Sequence, residues 1–255
     1  MKRTLLVLTV ILAALMLSSG MALAATITCQ AGVDCLGTRK ADELKGTAGK
    51  DHIYGRRGGD ILRGLGEFDE LHGLSGKDRL FGGPEQDFLI GGPGNDALGG
   101  SGGGDWYFFG DNWGKDTITD DATSANSILM RDFGAGTPFV TENLIIDLRT
   151  SEEPEVQNVS GTSTIDWEGT GINEVVGGSG NDEITGNQLD NALFGGPGED
   201  TLIGRGGDEE IIAMDGFPHD TVDCGEDLIG GPDHDFALHD PGDMVIGCED
   251  TSTQP

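Results

Sequence analysis

Glycines stand at positions 37, 46, 55, 64, 73, 82, 91 and 100, and five residues after each comes an aspartate: Asp42, Asp51, Asp60, Asp69, Asp78, Asp87, Asp96 and Asp105. Two residues further on lies a large apolar side chain, in order Leu44, Ile53, Leu62, Leu71, Leu80, Leu89, Leu98 and Tyr107. A nine-residue beat fits no helix period, and an ordinary globular core has no need of it. Self-similarity at a fixed period is the mark of stacked repeats. Each unit supplies one carboxylate and one apolar anchor.

Composition limits what such repeats can build. Two hundred and fifty-five residues allow one or two domains, but aromatic content is 6% and there are 45 glycines, so the core is thin and repetitive. The formal net charge of −30 makes nucleic acid and anionic lipid poor partners. An acidic, glycine-rich chain without periodicity would be disordered. Here the regular apolar anchors argue for a fold, provided that something neutralises the acids.

The N-terminus reads as an export address. Lys2 and Arg3 precede an apolar run over residues 5–17, and Ala22-Leu23-Ala24 places small residues at the cleavage positions of a secretory signal peptide. The run is shorter than the roughly 20 residues of a spanning helix, and no later segment is apolar enough to span. Cleavage after Ala24 removes two cations and no acid, taking the charge from −30 to −32. Four cysteines suit an exported chain. Cys29 and Cys35 lie just ahead of the repeats, and Cys224 and Cys248 lie near the other end. Local pairing within each couple is the simplest of three connectivities, and a zinc site is the competing reading.

The segment from Gly91 to Leu98, Gly-Gly-Pro-Gly-Asn-Asp-Ala-Leu, and that from Gly177 to Ile184, Gly-Gly-Ser-Gly-Asn-Asp-Glu-Ile, fit the pattern Gly-Gly-x-Gly-x-Asp-x-aliphatic. They resemble the RTX (repeats-in-toxin, haemolysin-type) calcium-binding repeats. The resemblance implies an all-β fold, a parallel β-roll or β-solenoid of stacked nonapeptides in which six residues form a calcium-binding turn and three form a short strand. Two nonapeptides then make one coil.

With 18 residues per coil, the aspartates divide into two columns: Asp42, Asp60, Asp78 and Asp96 on one edge, and Asp51, Asp69, Asp87 and Asp105 on the other. Leu44, Leu62, Leu80 and Leu98 face Ile53, Leu71, Leu89 and Tyr107 in a two-layer core. Carboxylates stacked about 4.8 Å apart repel by about 3 kcal/mol per neighbour at an effective dielectric near 20. Calcium suits the gap, because it takes six to eight oxygens in flexible geometry, whereas magnesium holds its waters and transition metals ask for His or Cys. The first edge keeps glycine two residues before aspartate at Gly58, Gly76 and Gly94, while the second carries Glu67 and Glu85 between Gly49 and Gly103. Lys40 in that position marks the first turn as a cap.

A second array runs through Gly177, Gly186, Gly195 and Gly204, with Asp182, Asn191, Asp200 and Glu209 at the acid positions and Asp208 as an alternative in shifted register. The candidate metal ligands are thus Asp42, Asp51, Asp60, Asp69, Asp78, Asp87, Asp96, Asp105, Asp182 and Asp200, with several calcium ions as the cofactor.

The expected organisation is a signal peptide (1–24), an N-terminal cap (25–36), a first array (37–107), a β-rich connector (108–176), a second array (177–212), and a C-terminal cap and tail (213–255). An independent small β domain over residues 108–176 is the alternative for the connector. The repeats leave no space for a catalytic domain. Gly99 to Gly103 matches a serine-hydrolase elbow in letters alone, and His234 and His239 beside Asp235 and Asp240 form the one dense histidine cluster. The expected function is a secreted, bacterial, non-catalytic calcium-binding β-roll that rigidifies on binding the ion. Alternatives are a surface adhesin or matrix protein that binds cells or polysaccharide, or a glycan-acting enzyme on the same scaffold.

Overall fold

In the computed structural model, residues 25–110, 112–120, 125–130, 144–147, 155–158, 164–168, 171–216, 218–225 and 234–253 are described. The expected signal peptide lies outside them.

The chain winds as a parallel β-solenoid, with two short strands per coil placed in two facing sheets. Within the two arrays each strand begins at or just after the acid position of its repeat. Ile61–Arg63, for example, buries its central Leu62 and turns its flanks outward. Asp42–Lys45, Ile61–Arg63, Arg79–Gly83 and Ala97–Ser101 stack parallel in one sheet, with Leu44, Leu62, Leu80 and Leu98 in register. His52–Arg57, Glu70–Ser75, Phe88–Ile90 and Trp106–Phe109 stack in the other, with Ile53, Leu71, Leu89 and Tyr107 in register. All eight anchors are buried, and they form one cluster with Ile184, Leu193, Leu202 and Ile211 of the second array. The core is thus two side chains thick, as a chain poor in aromatics allows.

Three connector strands enter the first sheet in reverse sequence order. Lys115–Thr119 pairs parallel with Thr164–Glu168, which pairs antiparallel with Glu155–Asn158; that strand pairs antiparallel with Leu144–Asp147, which then runs parallel to Glu183–Thr185. The second sheet passes directly from Asn126–Met130 to Ile172–Val176. Among the described residues the first sheet therefore has 13 strands and the second 11. The connector hydrogen-bonds to both arrays and continues their sheets.

Both disulfides pair locally, Cys29 with Cys35 and Cys224 with Cys248. The first ties the opening strand, Ala25–Thr28, to the start of the second sheet, Cys35–Leu36. The second ties Thr221–Gly225 to the last coil. Beyond it the final strand, Asp250–Thr253, is exposed along its length.

Candidate metal sites

The turns along each edge of the roll position the aspartates. In the first column the backbone N–H of Asp42 donates to Asp60 Oδ1 (2.8 Å), that of Asp60 to Asp78 Oδ1 (2.7 Å), and that of Asp78 to Asp96 Oδ1 (2.7 Å). In the second column Asp51 donates to Asp69, Asp69 to Asp87 and Asp87 to Asp105, each at 2.8 Å. Asp60, Asp78 and Asp96 on one edge, and Asp69, Asp87 and Asp105 on the other, thus each use Oδ1 to satisfy the coil before. The columns expected from an 18-residue coil are the ladders observed.

The other oxygen divides the candidates. Oδ2 of Asp60, Asp69, Asp78, Asp87, Asp96, Asp105 and Asp200 is buried without a hydrogen-bond partner. Asp51 leaves Oδ1 in that state, since Thr47 donates to its Oδ2 from both N–H and hydroxyl. Asp42 is satisfied at both oxygens, by Ala25 at Oδ1 and by Thr38 N–H and hydroxyl at Oδ2. Asp182 is likewise satisfied, by Leu144 and Gly178. These two close the outer ends of their columns and are weaker candidates than the other eight.

A buried carboxylate oxygen without a donor is costly when charged. Burial is the leading cause that raises the carboxyls: Asp60 to about 6, Asp69, Asp87 and Asp96 to about 7, and Asp105 and Asp200 to about 8. Asp78 is raised by burial as well. The ladder N–H opposes the shift, and neighbouring carboxylates add to it: Asp78 and Asp42 act on Asp60, and Asp51, Glu67 and Glu85 on Asp69. Near neutral pH burial thus holds much of each column in the protonated form, and ionising it takes a compensating charge.

The glycines make the space in which one would sit. A Cβ on Gly73 would lie 2.6 Å from Asp78 Oδ2, and one on Gly91 would lie 2.6 Å from Asp96 Oδ2. Along the first edge, a Cβ on Gly76 would fall 1.3 Å from the Gly58 carbonyl oxygen, and one on Gly94 would fall 1.8 Å from that of Gly76. Turn carbonyls and carboxylates are thus stacked coil upon coil, an all-oxygen donor set that fits calcium. Among the described residues no three His, Cys, Asp or Glu side chains form a ready-made metal cluster. A shell built here draws on backbone carbonyls together with one carboxylate per turn.

The second edge differs as its glutamates suggest. Glu67 takes a positive φ of 60°, and its N–H donates to Glu85 Oε2 at 3.1 Å. These glutamates add negative charge beside Asp69 and Asp87. At the core end of this edge Tyr107 accepts from Gly100 N–H and donates to Asp120, and burial leads the causes that raise its phenol.

Three ladder aspartates escape a strict nine-residue count. Asp96 donates to Asp116 Oδ1, Asp200 to Asp220 Oδ1, and Glu209 to Asp235 Oδ1, at separations of 20, 20 and 26 residues. The Oδ2 atoms of Asp116 and Asp220 are buried without a partner, and burial raises these carboxyls to about 8 and about 6. The signal that survives the longer loops is acid, any residue, apolar: Asp116-Thr117-Ile118, Asp220-Thr221-Val222 and Asp235-Phe236-Ala237. Asn126 ends the second column as acceptor for Asp105 N–H. Glu209 is buried in the ladder, whereas Asp208 is exposed and donates from its N–H to Asp190, so the shifted register is not adopted. Ser101 lies at the end of the strand Ala97–Ser101 and is not at a strand-to-helix elbow.

Parallel coils of paired nonapeptides, with an aspartate ladder at each turn, place the chain in the class of β-rolls. The RTX calcium-binding nonapeptide repeat matches in four copies, at residues 36–71, 72–107, 169–188 and 185–217, so the chain carries RTX calcium-binding repeats. No curated protein matches the chain in sequence.

Proposed function

We propose that the chain is an exported, non-catalytic rod whose folding is driven by calcium. The observation that carries this reading is the line of buried, partnerless carboxylate oxygens, at Asp60, Asp78, Asp96 and Asp116 on one edge and Asp69, Asp87 and Asp105 on the other. Their charge opposes the stacked state until a cation enters, so metal binding and folding are one event. Asp200 and Asp220 hold further ions in the second array. Asp51 contributes one free oxygen, while Asp42 and Asp182 serve as column ends. The affinity suits extracellular calcium, on the order of 10⁻⁴–10⁻³ M for such modules. Export follows from the signal-like residues 1–24 and the two disulfides.

Far-UV circular dichroism of the oxidised protein, first with chelator and then with millimolar calcium, tests the reading. Strand signal should develop on addition of calcium and reverse with chelator. An unchanged spectrum, with no heat of calcium binding in calorimetry, would overturn it.

A further inference from the structure

The charge of this rod is distributed unevenly along its axis. Nine of the 15 lysines and arginines fall within residues 39–79, namely Arg39, Lys40, Lys45, Lys50, Arg56, Arg57, Arg63, Lys77 and Arg79, and none follows Arg205. Five of the eight acids in that segment, Asp42, Asp51, Asp60, Asp69 and Asp78, are buried in the ladders. Across residues 39–79 the outer surface is left with nine cations against Glu43, Glu67 and Glu70, and Asp34 adds one more exposed acid to the first coil. A chain of net charge −30 thus presents one cationic end.

Within that end a cleft of about 350 Å³ is lined by Arg39, Arg56, Arg57, Leu74 and Ser75. Arg56 and Arg57 end the strand His52–Arg57 and pair in register with Leu74 and Ser75 of the next coil. Arg39 lies 18 residues before Arg57, one coil earlier. Three exposed guanidinium groups on adjacent coils repel one another, and the local carboxylates do not relieve them. Among the described residues the ion pairs join Glu43 to Arg63 and Glu70 to His52 and His72, and none reaches Arg39, Arg56 or Arg57. Asp60 does not compensate them either, since its free oxygen is buried beneath Gly55, 2.6 Å from where a Cβ there would lie.

Arg56 has a φ of 85° and Leu74, its partner in the next coil, a φ of 75°; Leu65, Ser101 and Arg205 share this left-handed conformation directly after their own repeat glycines, so it is a regular feature of the turn. Ser75 Oγ donates to the Arg56 carbonyl at 3.2 Å and holds the strand end in place.

We propose that the Arg39, Arg56 and Arg57 cleft is a binding site for a compact, multiply charged oxyanion, a phosphate monoester carried on a sugar or on a lipid headgroup. Guanidinium forks recognise such groups by paired, charge-assisted hydrogen bonds. The cleft has room for one headgroup, and the acidic remainder of the rod repels an extended polyanion lying along it. These arginines sit in the turns that lead to Asp42 and Asp60, so the two proposals are separated by their readouts, oxyanion binding for this site and the heat of calcium binding for the ladders.

The test uses the full-length, oxidised, calcium-loaded protein with two probes: glucose 1-phosphate in calorimetry, and phosphatidylcholine vesicles containing phosphatidic acid in co-sedimentation. The protein should bind at least one probe, with affinity falling as salt rises. Binding to glucose 1-phosphate assigns a soluble or glycan-borne ligand, and binding to the vesicles alone assigns a lipid. The triple variant Arg39→Gln, Arg56→Gln, Arg57→Gln should weaken that binding by about tenfold or more, as loss of charge-assisted bonds implies, in protein that circular dichroism in calcium shows to be folded. Should the triple variant fail to fold, Arg57→Gln alone should show a smaller loss in the same direction, and Arg205→Gln none. No binding to either probe, or equal binding by wild type and the arginine variants, would overturn the site.

Discussion

Replacing Asp96 by asparagine should stabilise the calcium-free protein at neutral pH and destabilise the calcium-loaded one. The side chain keeps its shape, and the acceptor oxygen for Asp78 N–H, now at 2.7 Å, remains. What changes is Oδ2, which is buried without a donor. Burial is the largest cause raising the Asp96 carboxyl from 3.8 to about 7, and Asp78 adds to the shift. Between those values the folded state holds a proton that the unfolded state has released, so this contribution to stability is full below about 4 and lost as pH rises through about 7. At about 1.4 kcal/mol per pH unit, ionisation of Asp96 costs the metal-free fold on the order of 4 kcal/mol. Asparagine removes that cost but leaves an amide N–H in the same pocket, a penalty of about 1–3 kcal/mol. The net gain is about 1–3 kcal/mol. Circular dichroism against pH in chelator reads it directly. The wild-type strand signal should be lost as pH rises through the neutral range, and Asp96→Asn should retain it to higher pH. In calcium the same variant should bind fewer ions and melt earlier. If Asp96→Asn weakened the fold equally in chelator and in calcium, the carboxylate would be a structural acceptor alone, and the cation argument would fail.

Other expectations concern the frame around the columns. Leu80→Ala empties a fully buried anchor and should cost about 2–5 kcal/mol in calcium-loaded urea melts, whereas Leu65→Ala, at a side chain 41% exposed, should change stability by no more than about 0.5 kcal/mol. Gly76→Ala would push a methyl to within 1.3 Å of the Gly58 carbonyl oxygen and should abolish cooperative calcium-induced folding in circular dichroism titrations. Gly49→Ala meets nothing nearer than 3.9 Å and should titrate like wild type. Cys224 and Cys248 are 24 residues apart, and replacing both by serine should lower stability by about 3 kcal/mol, as loop closure implies. An unchanged melting temperature would show that the last coil adds nothing to the fold.

The repeat pattern, with the coil that its RTX resemblance implies, is enough to place the two columns and the inward anchors. The chain shows a nine-residue period, and the RTX resemblance, which implies two nonapeptides per coil, makes residues 18 apart neighbours and places Leu44, Leu62, Leu80 and Leu98 together. The tertiary structure decided which oxygen of each aspartate is left over, because that depends on hydrogen bonds to other coils and to local hydroxyls: Thr38 and Thr47 quiet Asp42 and half of Asp51, while Asp60 and Asp96 keep a bare Oδ2. It also decided that Asp116 and Asp220 join the ladders, since a longer loop breaks the count in the chain without breaking the register of the sheet. The reversed order of the three connector strands had no periodic signal at all, for it rests on pairing between strands far apart in sequence. The arginine cleft was hidden by the net charge, which sums over the chain. Folding buries the aspartates of the first coils and leaves their cations outside, so one end of an acidic rod faces solvent as a base.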